Sequence, residues 1–265
     1  MEIAIIGGTG VYDPAMLADR RELNVQTPYG PINPTVGVYN GTEVVFLPRH
    51  GAAHSVPPHR INYRANLWGL RSLGVKRIVA TTAVGSLNPQ MRPGEMVLID
   101  QFLDFTKGRP STFFEGGSHG VVHVDYTEPY CPEVRAIILN VAAGAGYNIH
   151  DGGVYVCTEG PRFETPAEIR MFEKLGGDLV GMTNVPEVVL AREAGICYAT
   201  VSMVTNFAAG IAEGPLTHEE VVALMQANNE RLRQLLMGVI TKMPTVRTCG
   251  CQQAVPDADR FFREA

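Results

Sequence analysis

The sequence predicts an α/β fold with a largely parallel or mixed β-sheet, and three observations support this class. Short apolar runs typical of buried strands alternate along the chain with segments of helical spacing. The length of 265 residues suffices for one large domain with a single core. The sequence contains no internal repeat and no linker rich in Pro, Gly or Ser that would divide it.

The predicted strands are apolar runs that end in glycines, hydroxyl-bearing residues or charged turns. The first run enters a Gly-Gly-Thr-Gly turn, which is typical of a buried strand followed by a tight turn. In chain order, the predicted strand segments are 2–7, 43–51, 75–87, 93–106, 152–165, 178–183 and 196–206.

The predicted helices have helical spacing of apolar residues together with recognisable start or stop residues. Pro132 lies in the first turn of one, Gly74 follows another, and Thr217 is a good N-cap for the long last helix. In chain order, the predicted helical segments are 64–74, 131–146, 165–177, 184–195 and 217–243. Residues 1–243 therefore form the predicted domain, and residues 244–265 form a loose C-terminal tail that ends in a short helix.

Composition excludes several classes of protein. The formal net charge is −5 and no Lys/Arg cluster is present, so neither nucleic acid nor an anionic membrane is an expected partner. No segment reaches the roughly 20 apolar residues of a membrane span, and no signal peptide is recognisable, so we expect a cytoplasmic protein.

The five cysteines are scattered and odd in number, unlike the disulfide framework of a secreted domain. Cys157 and Cys197 lie in apolar runs and are expected to be buried thiols. Cys249 and Cys251 form a CxC pair in a polar segment. The pair could form a strained disulfide, bind a metal or act as a redox-sensitive feature. Metal is the least favoured of these, because the sequence shows no second cysteine cluster beside the pair.

Polar residues follow the predicted strands where ligands bind in α/β sheets, outside the carboxyl ends of the strands. Six strand ends could therefore converge on one pocket. These residues are Gly8-Thr9, Arg49-His50, Thr82-Ala83, Glu159 to Glu164, Met182-Thr183 and Thr205-Asn206.

Three of these strand ends could bind an anion. The GGTG turn lacks the spacing of a dinucleotide fingerprint or a P-loop. Its glycine amides and the Thr9 hydroxyl could nevertheless bind an anion. The alternative interpretation, a tight turn without a ligand, is equally consistent with the sequence. Arg49 offers a planar fork suited to phosphate and His50 a donor, which we favour over a His50–His54 metal site or a solvated turn. Thr82 could add its hydroxyl, although small residues after a strand are ordinary.

The other strand ends could contact an organic ligand. Glu159 and Glu164 could be the paired carboxylates of glycoside cleavage, or Glu164 could accept a hydrogen bond from a ring N–H while Glu159 is structural. The local sequence is typical of a core methionine at Met182 and a helix cap at Thr183. Asn206 either caps a turn or reads a flat heterocycle through its donor and its acceptor.

Taken together, these segments resemble the trimeric nucleoside phosphorylases, the family of purine nucleoside phosphorylase and 5'-methylthioadenosine phosphorylase. The resemblance covers about residues 1–240, and its long segments point to the methylthioadenosine branch. The matching segments are GGTG, PRHG, NYRANLWGL, TTAVGSL, GEMVLIDQFLD, TEGPRF, GMTNVPEVVLAREAGICYA and TNFAAG. The resemblance implies a single domain with a central mixed, partly barrel-like β-sheet flanked by α-helices.

The resemblance implies reversible phosphorolysis of a purine nucleoside, with inorganic phosphate as co-substrate and with no cofactor, metal or covalent intermediate. A phosphate dianion would stabilise an oxocarbenium-like transition state, and a donor near purine N7 would stabilise the leaving base. Catalytic roles would fall to Asn206 and His50. The implied phosphate ligands are Thr9, Arg49, His50, Thr82, Ala83 and Thr183, and the implied nucleoside contacts are Phe163, Glu164, Thr165, Met182, Asn206, Phe207, Ala208, His218 and His123.

Three positions depart from the methylthioadenosine branch. That branch carries aspartates where this chain has Asn206 and Ala208, a serine where it has Glu164, and an apolar residue where it has His218. Enzymes specific for 6-oxopurines resemble this chain at Asn206, at Glu164, which accepts from N1–H, and at His218, which contacts the ribose 5'-hydroxyl. We therefore expect inosine and guanosine to be preferred in purine salvage, since a site built to hydrogen-bond a group rejects analogues that lack it.

The alternatives are a 5'-methylthioinosine or 5'-methylthioadenosine phosphorylase, a nucleoside hydrolase and a non-enzymatic nucleoside-binding protein. The hydrolase is disfavoured because no aspartate cluster for calcium is recognisable. The resemblance also implies a homotrimer, or a hexamer of two trimers, in which His123 reaches a neighbouring site; a histidine on a strand surface is equally open.

Overall fold

The computed structural model describes residues 1–7, 17–51, 55–117, 120–211, 218–256 and 258–264, without the side chains of residues 218, 220 and 264. Its strands, in chain order, are β1 (Ile3–Gly7), β2 (Ala18–Glu22), β3 (Thr35–Tyr39), β4 (Thr42–Pro48), β5 (Arg77–Ser86), β6 (Met96–Leu98), β7 (Gln101–Phe105), β8 (Ile149–Asp151), β9 (Val154–Thr158), β10 (Leu179–Gly181) and β11 (Cys197–Phe207). Its helices are α1 (Tyr63–Ser72), α2 (Pro132–Gly144), α3 (Pro166–Lys174), α4 (Asn184–Glu193), α5 (His218–Lys242) and α6 (Ala258–Glu264).

The eleven strands form one mixed sheet, which confirms the predicted α/β class. Its longest path runs β2-β3-β4-β1-β5-β10-β9-β7, and β11 pairs with β5 and β6, while β6 also pairs with β8. Strands β4, β1, β5 and β11 run parallel to one another, whereas β10 runs antiparallel to β5.

Strand β1 shows how the core is divided between the two faces of the sheet. Ala4 and Ile6 pack in a cluster with residues of α1 and α4, whereas Ile3 and Ile5 pack with residues of α2 and α5. Successive side chains of a strand point to opposite faces, and a sheet covered by helices on both faces produces continuous apolar runs. This double burial explains why the sequence of β1 is apolar at every position.

The structure departs from the sequence prediction at segment 93–106 and at strand β2. The segment predicted as one strand at 93–106 is broken between β6 and β7 at Ile99 and Asp100, where Asp100 accepts a hydrogen bond from the Gly153 amide. Strand β2 is exposed along its whole length, so it lacks the apolar pattern that would have predicted it. The N-cap expected at Thr217 lies outside the described residues.

The C-terminal segment is packed rather than loose, which corrects the expectation for residues 244–265. Cys251 and Val255 are buried, and Phe261 of α6 joins the core cluster beside Trp68 of α1. The Arg247 guanidinium donates to the Gly195 carbonyl at 2.8 Å. Separately, none of the helices in the described parts of the chain is long and apolar enough to cross a membrane.

Candidate active site

A gap along one edge of β5 creates the site. Strand β1 pairs with β5 as far as Ala80, and β10 pairs with the same edge from Gly85 onward. Because β10 is antiparallel to β5, its carboxyl end points towards the carboxyl end of β1 across this gap. No described strand pairs with Thr82 or Ala83 on that edge, so their backbone groups face the space between the two strand ends.

A cavity of about 380 Å³ occupies this space, a volume typical of small-ligand pockets. It is lined by ten of the residues that the sequence predicted as site residues: Arg49, His50, Thr82, Ala83, Phe163, Glu164, Met182, Thr183, Asn206 and Ala208. These residues come from five separate segments of the chain, which are five of the six strand ends that the sequence predicted to converge; the sixth, Gly8-Thr9, lies outside the described residues.

Arg49 is held by a carboxylate that the sequence analysis did not single out. Its Nε and Nη2 donate to the two oxygens of Glu187, each at 2.7 Å, and its Nη1 donates to the Thr81 carbonyl at 2.9 Å. Burial acts to lower the pKa of Arg49, but the attraction of Glu187 outweighs it, so the pKa is raised and the guanidinium stays charged. Three of its five N–H groups are engaged, which leaves at most two for an anion.

His50 and Thr82 lie beside this pair on the cavity wall. The His50 Nδ1 lies 2.9 Å from the Val56 carbonyl, which only accepts, so Nδ1 carries a proton. Donation from Nε2 to an anion therefore requires the protonated ring. The Thr82 hydroxyl lies 2.9 Å from the Ser202 hydroxyl on β11, which fixes its position in a buried site.

The segment that leads into α4 lines the same end of the cavity through Thr183. Val185 is extended (φ −109°, ψ 131°), its amide donates to the Cys157 sulfur, and Pro186 has no N–H, so the helix start presents no row of free amides to an anion. The Thr183 side chain makes no capping hydrogen bond, so the local reading as a cap does not account for its hydroxyl. The next residue, Asn184, is fully buried and donates to the Thr200 hydroxyl at 2.9 Å, which fixes the helix start against β11.

Asn206 lies at a β-bulge near the end of β11 rather than at a turn cap. Val204 pairs with Val84 and Asn206 with Gly85, so Thr205 is the extra residue. A bulge re-aims the side chains beside it. The Asn206 Nδ2 donates to the Phe207 carbonyl at 2.8 Å, and its Oδ1 lies 2.8 Å from the Thr205 hydroxyl. An amide has two donors and two acceptor positions, so these bonds leave capacity for a ligand.

Glu164 faces the cavity from the loop between β9 and α3. Burial raises the pKa of its carboxyl above the ordinary value, while a hydrogen bond from the Thr158 hydroxyl, 2.6 Å away, opposes that rise. A buried carboxylate that is partly hydrogen-bonded is well suited to accept from a ligand N–H. By contrast, the Glu159 side chain accepts from the Lys107 amide and does not line the cavity, in line with its structural reading.

Arg109 is a positioning residue that sequence reasoning missed. Its guanidinium donates to four backbone carbonyls, those of Thr158, Glu159, Met182 and Val185, and to the Tyr63 hydroxyl. One buried cation thereby ties together the two loops that carry Glu164 and Met182. Its only sequence signal is a single arginine in a Gly-Arg-Pro loop, which carries no recognisable pattern.

Three predicted residues lie outside the cavity. Thr165 is exposed and forms a capping box with Glu168 at the start of α3, because its hydroxyl accepts from the Glu168 amide. Phe207 ends β11 opposite Ser86, and His123 is exposed in a segment without regular secondary structure, not on a strand. Thr9 and His54 lie outside the described residues, as does the side chain of His218, although Val221 of the same helix lines the cavity.

The sequence analysis assigned no ligand contact to the other lining residues. They are Ser55, Val56, Pro57, Pro58, Val84, Gly85, Pro161, Val180, Gly181, Thr205 and Val221. A Cβ at Gly85 would lie 3.1 Å from the Asn206 amide nitrogen, so a larger residue there would require Asn206 to shift. Most of these residues are apolar, so their sequence positions are typical of core and turn residues and gave no signal.

The fold and the cavity define an α/β protein with a site that has an arginine- and threonine-lined end and an amide- and carboxylate-lined end. Residues 2–241 match the sequence profile of the Phosphorylase superfamily. The chain therefore belongs to this superfamily and, within it, to the nucleoside phosphorylases, as the resemblance predicted.

Relatives and solved structures agree over nearly the whole chain. A probable 6-oxopurine nucleoside phosphorylase of Moorella thermoacetica is 59% identical over 96% of this chain and 98% of its own length. The 6-oxopurine nucleoside phosphorylase of Pyrococcus furiosus is 55% identical over 97% and 98%. A probable S-methyl-5'-thioinosine phosphorylase of Methanopyrus kandleri is 51% identical over 97% and 99%. The crystal structure of a methylthioadenosine phosphorylase from an antarctic soil metagenomic library superposes with a TM-score of 0.88 at 37% identity, covering 97% of this chain and 91% of that one.

Proposed function

We propose that the protein catalyses reversible phosphorolysis of 6-oxopurine nucleosides, inosine and guanosine, to the free base and ribose 1-phosphate. The observation that carries this proposal is the composition of one cavity, in which Asn206 and Glu164 occur together with Arg49, Thr82 and Thr183. Asn206 and Glu164 fit a 6-oxopurine. The other three residues, Arg49, Thr82 and Thr183, fit phosphate. The names of the relatives at 55–59% identity support the same substrate class.

The phosphate would lie where Thr82, Ala83 and Thr183 line the cavity. There it would receive donors from the backbone of β5 and from the threonine hydroxyls, with the charged Arg49 behind it. One phosphate oxygen attacks the anomeric carbon as the bond to N9 of the purine breaks. The phosphate dianion stabilises the positive charge that develops on the ribosyl group.

The purine would be read by Asn206 and Glu164. The Asn206 amide accepts from protonated N7, which receives the electron density of the leaving base, and donates to O6. The Glu164 carboxylate accepts from N1–H. An adenine N1 carries no proton and would oppose this carboxylate acceptor to acceptor, so 6-amino nucleosides are disfavoured by up to about 10⁴–10⁵-fold.

The second candidate is 5'-methylthioinosine phosphorylase, which shares the base-reading residues. Apolar side chains of Val56 and Val221 line the same cavity and favour it, because a methylthio group needs an apolar surround. His218, at the start of α5, decides between the two by offering a partner to a 5'-hydroxyl.

The experiment is base release from inosine, guanosine, adenosine, methylthioadenosine and methylthioinosine, each with and without phosphate. We expect phosphate-dependent release from inosine and guanosine and little from the 6-amino nucleosides. Release without phosphate would identify a hydrolase. Comparable turnover of methylthioadenosine and inosine would refute the reading of Asn206 and Glu164.

A homotrimer, or a hexamer of two trimers, belongs to the same proposal. His123 is exposed on a segment without regular structure, and Val121 beside it is 77% exposed, so this segment is available to contact a neighbouring subunit. Light scattering on the purified protein should give three or six subunits. A monomer that turns over inosine at full rate would contradict a role for His123 across an interface.

A further inference from the structure

Four of the five cysteines are far apart in the sequence but lie together in the structure. Cys131 immediately precedes α2, Cys197 is the first residue of β11, and Cys249 and Cys251 flank the start of a short 3-10 turn. All four Sγ atoms lie within 4.8 Å of one another, and those of Cys197 and Cys249 are 3.3 Å apart. The fold thus supplies the second cysteine pair that the sequence did not reveal.

This spacing suits one metal ion. Four thiolates around zinc at about 2.3 Å place neighbouring sulfurs about 3.8 Å apart, inside the range observed here. Sulfurs as close as these leave room for a single ion and not for a multi-iron cluster. Cys131, Cys197 and Cys251 are buried, which excludes water as a competing ligand.

The surroundings hold the sulfurs in place and offer positive charge. The Glu133 carboxylate accepts from the amides of Thr248 and Cys249, at 2.9 and 3.2 Å, and so anchors the CxC segment. The Arg192 Nη1 donates to the Cys251 sulfur at 3.9 Å. Within the described residues, Arg192 Nε is a buried donor without an acceptor, so this guanidinium places positive charge beside the sulfur cluster.

We propose that Cys131, Cys197, Cys249 and Cys251 bind one zinc ion as a closed tetrathiolate site. Binding replaces four S–H protons by one Zn²⁺ and releases those protons to solvent, with no change of oxidation state. Soft thiolate ligands in a compact set of four select zinc among the common divalent ions. None of the four lines the cavity, so the site is structural: it fastens the C-terminal segment to the starts of α2 and β11.

The first test is metal content. Protein from cells grown with zinc chloride, purified without oxygen and gel-filtered, should contain about one zinc per chain. Cys249→Ser, at the least buried of the four, should lose most of it, and Cys157→Ser, at a buried cysteine outside the cluster, should keep it. Cobalt substitution should give the intense ligand-field and sulfur-to-metal bands of a tetrahedral tetrathiolate in the parent and not in Cys249→Ser. Less than one zinc per ten chains in the parent would overturn the proposal.

Thiol counting separates the zinc site from disulfides between the same sulfurs. Denatured zinc protein with chelator should show all five thiols, whereas one or two disulfides would leave three or one. Either lower count in metal-free protein refutes the proposal. Zinc at about 100 times its dissociation constant should raise Tm by roughly 5–10 °C over chelator-treated protein. An unchanged Tm on addition of zinc would also count against the site. Because the cluster does not line the cavity, Cys249→Ser should retain inosine turnover within about two-fold.

Discussion

Arg49 and Glu187 form a fully buried, bidentate ion pair across 138 residues of sequence. The Tyr198 hydroxyl donates to the same carboxylate at 2.7 Å, so Glu187 is satisfied on both oxygens. The pair therefore fixes the guanidinium in one orientation at the cavity wall. It joins the end of β4 to the first turns of α4, the two elements that carry Arg49 and Thr183.

Removing the carboxylate of this pair should be strongly destabilising. Glu187→Ala leaves a buried charge unpaired, and we expect a loss of about 3–5 kcal/mol in the free energy of unfolding. Urea denaturation at fixed protein concentration measures it. Glu230→Ala, which removes one partner of an exposed pair with Arg233, should change stability by less than about 1 kcal/mol. Equal effects of the two substitutions would contradict the structure.

The milder Glu187→Gln should affect phosphate more than nucleoside. The amide keeps the size of the side chain but cannot hold both edges of the Arg49 fork, so the guanidinium loses its fixed orientation. We expect the KM for phosphate to rise about 10-fold or more, with the KM for inosine nearly unchanged. Steady-state kinetics with each substrate varied in turn would test this, and an equal rise in both values would argue against the assignment.

Asn206→Asp should weaken recognition of 6-oxopurines. The carboxylate keeps an acceptor for N7–H but replaces the donor to O6 by a second acceptor, which repels the carbonyl. The kcat/KM for inosine should fall about 100-fold, and that for adenosine should fall less or rise. Asn24→Asp, at an exposed amide that does not line the cavity, is the matched control. An unchanged ratio of inosine to adenosine would remove Asn206 from base recognition.

Selectivity should depend on pH through Glu164. Because burial raises the pKa of its carboxyl above 4.5, the side chain takes up a proton at a higher pH than an ordinary glutamate. The protonated form donates rather than accepts and so tolerates an adenine N1. The ratio of kcat/KM for inosine to that for adenosine should therefore fall as the pH is lowered from 8 to 5.

Thr158→Val sharpens that test. The Thr158 hydroxyl stabilises the carboxylate, so its removal should raise the pKa of Glu164 further and move the loss of selectivity to higher pH. Glu164→Gln should give a lower ratio that no longer changes with pH. A pH profile that is the same in all three proteins would show that another group sets the selectivity.

His218→Ala should distinguish the two candidate substrates. Loss of a hydrogen bond to the 5'-hydroxyl should lower kcat/KM for inosine roughly 10-fold and leave methylthioinosine unaffected or improved. The comparison is made on the same enzyme preparation, so folding losses cancel in the ratio. Parallel losses on both substrates would place His218 outside the 5' pocket.

Much of the fold was predictable because its strands are buried on both faces. Strands β1, β5 and β11 are long apolar runs, and the helix starts at Pro132 and Thr165 carry clear cap signals. Strand β2 could not be predicted, since an exposed strand that pairs only with β3 has no apolar period. The packing of residues 244–265 depends on contacts with α1 and β11 that are distant in sequence.

The candidate site was predictable where function demands a recognisable side chain at a strand end. Asn206, Glu164, His50 and Thr82 were found in this way and do line one cavity. Glu187 and Arg109 were missed, because their roles exist only through partners far away in the chain. Thr165, predicted as a nucleoside contact, does not line the cavity, and its hydroxyl is engaged in the cap of α3.

Because of the gap along β5, both ends of the cavity lie along this one strand. Thr82 and Gly85, three positions apart on β5, lie against the proposed phosphate and base ends respectively. A strand advances about 3.3 Å per residue, so in the proposed reaction the separation between attacking oxygen and leaving base would be tied to covalent backbone geometry. We expect the spacing of the two reactants to change little with temperature or with the motion of surrounding loops.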